Sequence, residues 1–308
     1  MKNNRIVVIG SSNTDMIIKT SHIPKPGETV LGGHFSTAAG GKGANQAVSA
    51  ARAGGEVVFI ARVGDDLFGR KAIEGFMKDT INIEHILIDK DTPSGVALIF
   101  VDEHGENSIA VAPGANANVS PHDVESAGDV IASSEILLLQ LEIPIETVKA
   151  AAAIASSNNV PVILNPAPAQ PLDEELLRHV TVITPNETET EFITGVRVED
   201  IKSAVRAADN LHARGVKTVL ITCGRRGVYV SHDDFRGIIP SFSVCAVDST
   251  AAGDVFNGVL AVSLAERTSI LDAVRFSQAA AAISVTRLGA QTSAPYRPEI
   301  EEFLSEHG

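Results

Sequence analysis

The sequence has no tryptophan, only two cysteines, and few basic residues for its length: Lys and Arg number 25 against 38 Asp and Glu, a net charge of −13. Each shortage excludes something. Cys223 and Cys245 cannot build a disulfide framework or a cysteine-rich metal centre, and they read as reduced thiols. The acidic balance argues against a nucleic-acid partner and against an anionic membrane surface. It leaves room for an anionic small ligand, because backbone amides and one or two cations suffice to hold one. No apolar run approaches the roughly 20 residues of a membrane span; segment 277–286, for example, is broken by Ser and Gln. After Met1-Lys2-Asn3-Asn4-Arg5, the run Ile6 to Ile9 is too short for a signal-peptide core, so a cytoplasmic location is expected.

What is present is aliphatic. Hydrophobic residues make up 44% of the 308, enough for a substantial core and too many for a disordered chain. The length fits one large α/β domain or two small ones. Short apolar runs at Arg5–Ile9, Val57–Ala61, Ile136–Leu141, Val162–Leu164, Val182–Thr184 and Val219–Thr222 read as buried parallel strands. Between them, 43–53, 66–79, 121–132, 145–157, 199–213, 254–265 and 269–286 carry helical spacing. The alternation predicts a doubly wound, mostly parallel sheet with helices on both faces, and ligands at the carboxyl ends of its strands. Two regions break the rhythm. Residues 11–37 are polar and β-prone, and 94–111 read as a hairpin. Together they predict either a small β-sheet lid, formed discontinuously by about 11–37 and 94–111, or an antiparallel extension of the main sheet. Gly227–Ser231, Gly237–Pro240 and Phe242–Val247 suggest further hairpins.

Two glycine-rich segments carry chemistry. In Gly40-Gly41-Lys42-Gly43-Ala44-Asn45, glycines admit close approach of backbone to a ligand, and Lys42 and Asn45 offer donors. No Ser or Thr follows Gly-Lys, so this is not a P-loop, and the third glycine of a dinucleotide fingerprint is missing. A glycine-eased helix start explains the segment equally well. In Asp248-Ser249-Thr250-Ala251-Ala252-Gly253-Asp254, the small residues 251–253 present consecutive N–H groups at a helix start. Such a nest holds an anion or charge developing on a phosphoryl group. Asp254 beside it is placed to accept a proton from an attacking hydroxyl, although an Asp in a first helical turn is also an ordinary cap. At other strand ends, Asn186 and Glu189 lie three apart, where they serve either to hold a hydrated Mg²⁺ or as an N-capping box. Thr222 to Gly227 form a turn that could cover a nucleotide.

Paired in this order, the early and late motifs, with Asn186-x-x-Glu189 between them, resemble the ribokinase (PfkB-type) carbohydrate kinases over essentially the whole chain. The resemblance implies an ATP-dependent sugar kinase. Asp254 matches its catalytic base, and the amides of Ala251, Ala252 and Gly253 match its anion hole. Asn13, Asp15, Gly41, Lys42, Asn45 and Glu142 match the sugar contacts. Asn186, Thr222, Gly224, Arg225, Gly227 and Gln278, with Gly253, match the nucleotide contacts. Many relatives read Gly-Ala-Gly-Asp where this chain reads Ala-Ala-Gly-Asp. Asp248, Thr250, Ser284, Arg287, Gly289 and Ser293 match a monovalent-cation site that K⁺ would fill. The resemblance also points to a homodimer through the lid, which would cover exposed β-segments at 14–20, 28–36 and 95–111.

The expected reaction is transfer of the ATP γ-phosphoryl group to O5 of D-ribose, with Mg²⁺ beside the phosphates. Without Trp for stacking, the sugar would be read by hydrogen bonds: Asp15 and Glu142 accept from hydroxyls, Lys42 and Asn45 donate. The alternatives are a kinase of 2-deoxyribose, fructose or adenosine, a non-catalytic sugar-binding regulator, and a nicotinamide-dependent dehydrogenase, which the missing fingerprint argues against.

Overall fold

A computed structural model describes residues 4–307; Met1 to Asn3, the start of the segment read above for targeting, lie outside them. The aliphatic runs form strands, in chain order β1 Arg5–Ile9, β2 Asn13–Lys19, β3 His34–Gly40, β4 Glu56–Gly64, β5 Ile86–Asp89, β6 Gly95–Val101, β7 Asn107–Ala112, β8 Ile136–Leu139, β9 Val162–Leu164, β10 Val182–Ile183, β11 Thr218–Thr222, β12 Val228–His232 and β13 Phe235–Ile239. Nine of them make one sheet in the order β13-β12-β11-β10-β9-β8-β1-β4-β5. From β11 through β5 all pairs are parallel; β12 and β13 add an antiparallel hairpin.

Alternation along β1 shows why both faces are covered. Ile6 and Val8 enter one core layer with the helices Lys42–Arg52, Ala252–Ala265 and Ile270–Ser284. Val7 and Ile9 enter the opposite layer with Ile145–Ser157 and Ile201–Ala213. From β1 the chain adds β4 and β5 on one side, then returns to build β8 to β13 on the other. The strand order therefore reverses between β1 and β8, the kind of position where open α/β sheets bind ligands.

The segments that broke the rhythm form a separate four-stranded sheet, β3-β2-β6-β7, rather than an extension of the main one. Its strands run to Gly40 and Ala112, while residues 20–33 contribute no strand. Gly40 and Gly95 pair on either side of Asn13. A Cβ at Gly40 would overlap the Asp15 carboxylate, and one at Gly95 would overlap the Asn13 side chain.

Several expected elements differ. Phe242–Val247 forms no strand. Phe242 instead stacks edge-on against Phe303, and the amides of Val247 and Asp248 donate to Val285 O, so the segment follows the terminal helices rather than a sheet edge. The helix expected at 121–132 is two, Pro121–Ser126 and Gly128–Ala132, hinged at Ala127. The edge strand β5 and the helix Arg297–His307 are not among the expected elements; the helix does carry the spacing, with Ile300 buried and Phe303 and Leu304 packed against the core. Among the described residues, no helix is long and apolar enough to cross a membrane.

Candidate active site

The motifs converge at the carboxyl ends of β1, β8, β9, β10 and β11, between the two sheets. Asp254 lies in the first turn of Ala252–Ala265 and is 5% exposed. It does not cap its own helix. Its Oδ2 accepts from Asn45 Nδ2 at 2.9 Å and its Oδ1 from Gln46 Nε2 at 3.0 Å, both from the facing helix Lys42–Arg52. Asn45 Oδ1 is buried without a partner among the described residues, leaving an acceptor at the carboxylate's edge.

Beside Asp254 the backbone forms the nest. Ala251, the N-cap, has φ 59° and ψ 11°, which turns the following amides toward one point. A left-handed conformation costs a non-glycine residue about 1–2 kcal/mol. The amides of Ala251 and Gly253 have no acceptor among the described residues, whereas Ala252 makes a long 3.3 Å contact with Ser249 O. The helix N-terminus adds its own positive potential.

The expected sugar-contacting residues gather opposite. Gly41, with φ 90°, turns β3 into the helix that begins at Lys42. Glu142, at the end of β8, uses Oε2 to accept from Ser11 Oγ at 2.5 Å and from Lys42 N at 2.9 Å. One carboxylate oxygen thus ties the β1 and β8 ends to the glycine loop, and Oε1 remains for a ligand. Asp15, on β2 of the small sheet, is pushed up from 3.8 to about 6, first by burial and then by the charges of Glu142 and Asp254. The Lys42 ammonium is held above its ordinary pKa, chiefly by Asp254 and then, against burial, by Glu142 and Glu189. A cluster of carboxylates around one lysine suits a ligand rich in hydroxyls, which donate to the carboxylates and accept from the ammonium.

Asn186 and Glu189 form a full capping box for the helix Glu187–Thr194: Asn186 Oδ1 accepts from Glu189 N at 2.8 Å, and Glu189 Oε2 from Asn186 N at 2.8 Å. Asn186 Nδ2 also donates to Glu189 Oε1 at 2.9 Å. The capping alternative is therefore realised, and both Glu189 oxygens are engaged. Burial raises the Glu189 pKa despite the Asn186 amide and Lys42. Among the described residues no group of three His, Cys, Asp or Glu side chains stands ready for a metal. Asn186 bridges to Thr222, bringing the β10 and β11 ends together. The turn Gly224–Arg226 follows, closed by Cys223 N donating to Gly227 O at 2.8 Å. Arg225 is exposed, while Arg226 is tied to Glu187 and to Glu199 O. Gln278 donates to Ile239 O at 3.0 Å and leaves a buried, unpartnered Oε1.

The loops expected to hold a cation are joined. Asp248 Oδ2 accepts from Gly289 N at 2.9 Å and Oδ1 from Thr250 N at 2.9 Å. Burial pushes Asp248 up, but these bonds more than offset it and hold the carboxyl below its ordinary pKa. Ser284 and Ser293 are buried, with hydroxyls donating to Ala281 O and Ala290 O, so each has oxygen lone pairs left to offer. The Arg287 side chain goes elsewhere, to Glu299 at 2.5 Å, so only its main chain can serve an ion.

Sequence reasoning missed the support behind Asp254. Gln46, fully buried, donates to Asn165 Oδ1 as well as to Asp254, and accepts from Gln140 Nε2 at 2.6 Å. Asn165 Nδ2 donates to Thr184 O, Thr184 Oγ1 to Asn257 Oδ1, and Asn257 Nδ2 to Gly253 O. This chain of amides fixes both the base and the nest against three strand ends. Polar residues on the otherwise apolar faces of two helices were the available signal.

Residues 3–297 match the model of the pfkB family carbohydrate kinases, and the chain belongs to that family. Within it, the chain is 49% identical over 299 residues to a ribokinase of Haemophilus influenzae, covering 97% of this chain and 98% of that one. It superposes with a TM-score of 0.90 on the Arabidopsis thaliana ribokinase complexed with ribose and ATP, at 32% identity and 99% coverage of both chains. It is also 37% identical over 301 residues to a deoxyribokinase of Salmonella typhimurium, covering 97% of this chain and 98% of that one.

Proposed function

We propose that this protein is a cytoplasmic enzyme that transfers the γ-phosphoryl group of ATP to O5 of D-ribose. The observation that carries the reading is the buried Asp254 carboxylate, oriented by two amide donors, beside the unpartnered amides of Ala251 and Gly253. The ribokinase relatives support the acceptor and the donor. Asp15, Glu142, Lys42, Asn13, Gly41 and Asn45 bind the sugar hydroxyls. Asp254 takes the proton of the primary hydroxyl as that oxygen attacks the γ-phosphorus in line, and the 251–253 amides receive the charge. Asn186, Thr222, Gly224, Arg225, Gly227 and Gln278 hold the nucleotide, with Gln278 Oε1 a ready acceptor. Mg²⁺, when bound, offsets phosphate charge. Glu189 would act on it through a bound water, each of its oxygens already accepting one hydrogen bond in the capping box. The small sheet acts as a lid that keeps water from competing as acceptor. Initial rates of ADP formation with D-ribose, 2-deoxyribose, fructose and adenosine test the reading: ribose should lead, and a preference for another acceptor would replace it.

The raised pKa of Asp15 gives this site a pH signature. In the free protein Asp15 binds its proton below about 6. A sugar that donates hydroxyls to the carboxylate favours the ionised form, so the KM for ribose should rise as pH falls through that value, approaching tenfold per unit. Asp15→Asn should raise KM and abolish this limb. Because the folded-state pKa exceeds the ordinary 3.8, an ionised Asp15 opposes folding at neutral pH, and the penalty fades as pH falls from about 6.

K⁺ suits the joined loops at Asp248, Thr250, Ser284, Arg287, Gly289 and Ser293. Its charge would hold residues 248–254 in place, so that the nest is formed before the phosphate arrives. Turnover and Tm should both rise in KCl relative to NaCl or a bulky organic cation at matched ionic strength. Both gains should be lost in Asp248→Ala. Equal behaviour in all three salts would remove the cation.

The exposed apolar side chains of Phe35, Leu98, Ile109 and Val111 on the small sheet support a homodimer paired through it. A fully active monomer by light scattering would contradict that assembly.

A further inference from the structure

Four stretches of chain cross between the two sheets: at Ser12 before β2, at Gly41 after β3, at Ser94 before β6, and at 113–116 after β7. Asn116, in the short 3-10 helix Gly114–Asn118, is 1% exposed and reaches back to the first crossing. It meets the Ser12 backbone as a neighbouring strand would. Ser12 N donates to Asn116 Oδ1 at 2.9 Å, and Asn116 Nδ2 donates to Ser12 O at 3.1 Å. The second hydrogen on Nδ2 goes to Asn13 Oδ1 at 2.7 Å.

These three bonds leave no freedom in how either amide is turned. Exchanging the Asn116 oxygen and nitrogen would set donor against donor at Ser12 N, and oxygen against oxygen at Ser12 O and Asn13. With its oxygen taken, Asn13 keeps Nδ2 as its free end, and that donor has no partner among the described residues. Two residues along β2, on the same face, stands the Asp15 carboxylate. The strand therefore shows a ligand one donor and one acceptor in fixed order. Gly95 flanks the amide–amide bond, and a Cβ there would overlap both Asn13 Oδ1 and Asn116 Nδ2.

We propose that Asn116 is a positioning residue that fixes Asn13 as a hydrogen-bond donor toward the sugar, and so sets which hydroxyl pattern the site accepts. The proposal rests on the sugar-kinase reading. It assigns to a residue outside the cleft the choice between donor and acceptor inside it. A hydrogen-bond site discriminates most strongly through partners left unpaired, so reversing one amide should cost more than deleting a contact.

The test is a double-mutant cycle read as KM against kcat. Asn116→Asp keeps an acceptor for Ser12 N but repels Ser12 O and Asn13 Oδ1, so Asn13 turns its oxygen toward the sugar. The KM for ribose should rise roughly 10–100-fold, while kcat stays within about threefold, because Asp254 and its supports are untouched. In an Asn13→Ala background, Asn116→Asp should add nothing to KM. A merely structural role for Asn116 would instead multiply the two effects. Gly95→Ala supplies a second route, because its Cβ would overlap both ends of the same bond without placing a charge beside Ser12, and it carries the test should Asn116→Asp fail to fold. Wild-type KM in the folded variants, or multiplicative effects with Asn13→Ala, would overturn the proposal. Wild-type protein inactive on ribose would contradict the acceptor instead, and the same cycle is then run on the acceptor that it does turn over.

Discussion

Asp254→Asn should abolish most turnover, lowering kcat by about 10²–10⁴-fold, while ribose and ATP still bind. The argument starts from where the carboxylate is held. Asn45 Nδ2 and Gln46 Nε2 each donate to one of its oxygens, at 2.9 and 3.0 Å. These donors fix the rotamer without protonating it, and the side chain remains beside the free amides of Ala251 and Gly253. An asparagine of the same shape keeps the packing but cannot take the proton of the attacking hydroxyl. Its amide must also face one of the two donors with a donor of its own, costing about 1–3 kcal/mol of stability. The ordinary-cap alternative predicts a loss of about 1 kcal/mol and normal catalysis. The geometry already argues against the cap, because Asp254 bonds to another helix and not to its own first turn. Near-normal kcat with stability reduced would remove Asp254 as the base.

Lys42→Ala should lower kcat/KM by about 10²–10³-fold, the loss typical of removing one preorganised charge partner. The ammonium makes no hydrogen bond or ion pair with any described residue, yet Asp254, Glu142 and Glu189 all hold it protonated. It is thus a cation placed among carboxylates and left free for a ligand. Its backbone N–H is committed to Glu142, which lies near Asp15 on the side proposed for the sugar. The loss should therefore fall mainly on ribose affinity, with ATP affinity much less changed. Separate titrations with ribose and with ATP decide this. A larger loss for ATP would make the loop a phosphate cradle, despite its lack of a P-loop hydroxyl.

Much of the fold was legible because its signals are local. The aliphatic runs of β1, β8, β9 and β11 are bounded by Gly, Pro or polar residues. The hairpin of β6 and β7 is two β-prone runs paired antiparallel around the Asp102–Asn107 turn. Elements that depend on tertiary company were not legible. Phe242–Val247 alternates like a strand but finds its partners in Phe303 and Val285. The strand β5 is four residues long and is defined only by β4 beside it.

The site divides in the same way. Asp254 and its nest lie within one continuous segment, and so could be read from small residues leading into a helix. Asn186 and Glu189 carried two meanings at one spacing, and the capping box is the one realised. Gln46 and Asn116 were invisible because their roles are set by partners 208 and 103 residues away along the chain. A buried amide shows its function only once its donors and acceptors are assigned.

The most direct measurement is the position of the phosphate on the product. Purified protein with ATP, Mg²⁺, K⁺ and D-ribose, followed by phosphorus–proton correlation NMR, should give one new phosphate ester coupled to the two C5 protons, with one ADP formed per ester. Phosphate at another carbon, or ADP and free phosphate formed without any ester, would contradict an Asp254 base that activates the primary hydroxyl in a water-excluding site.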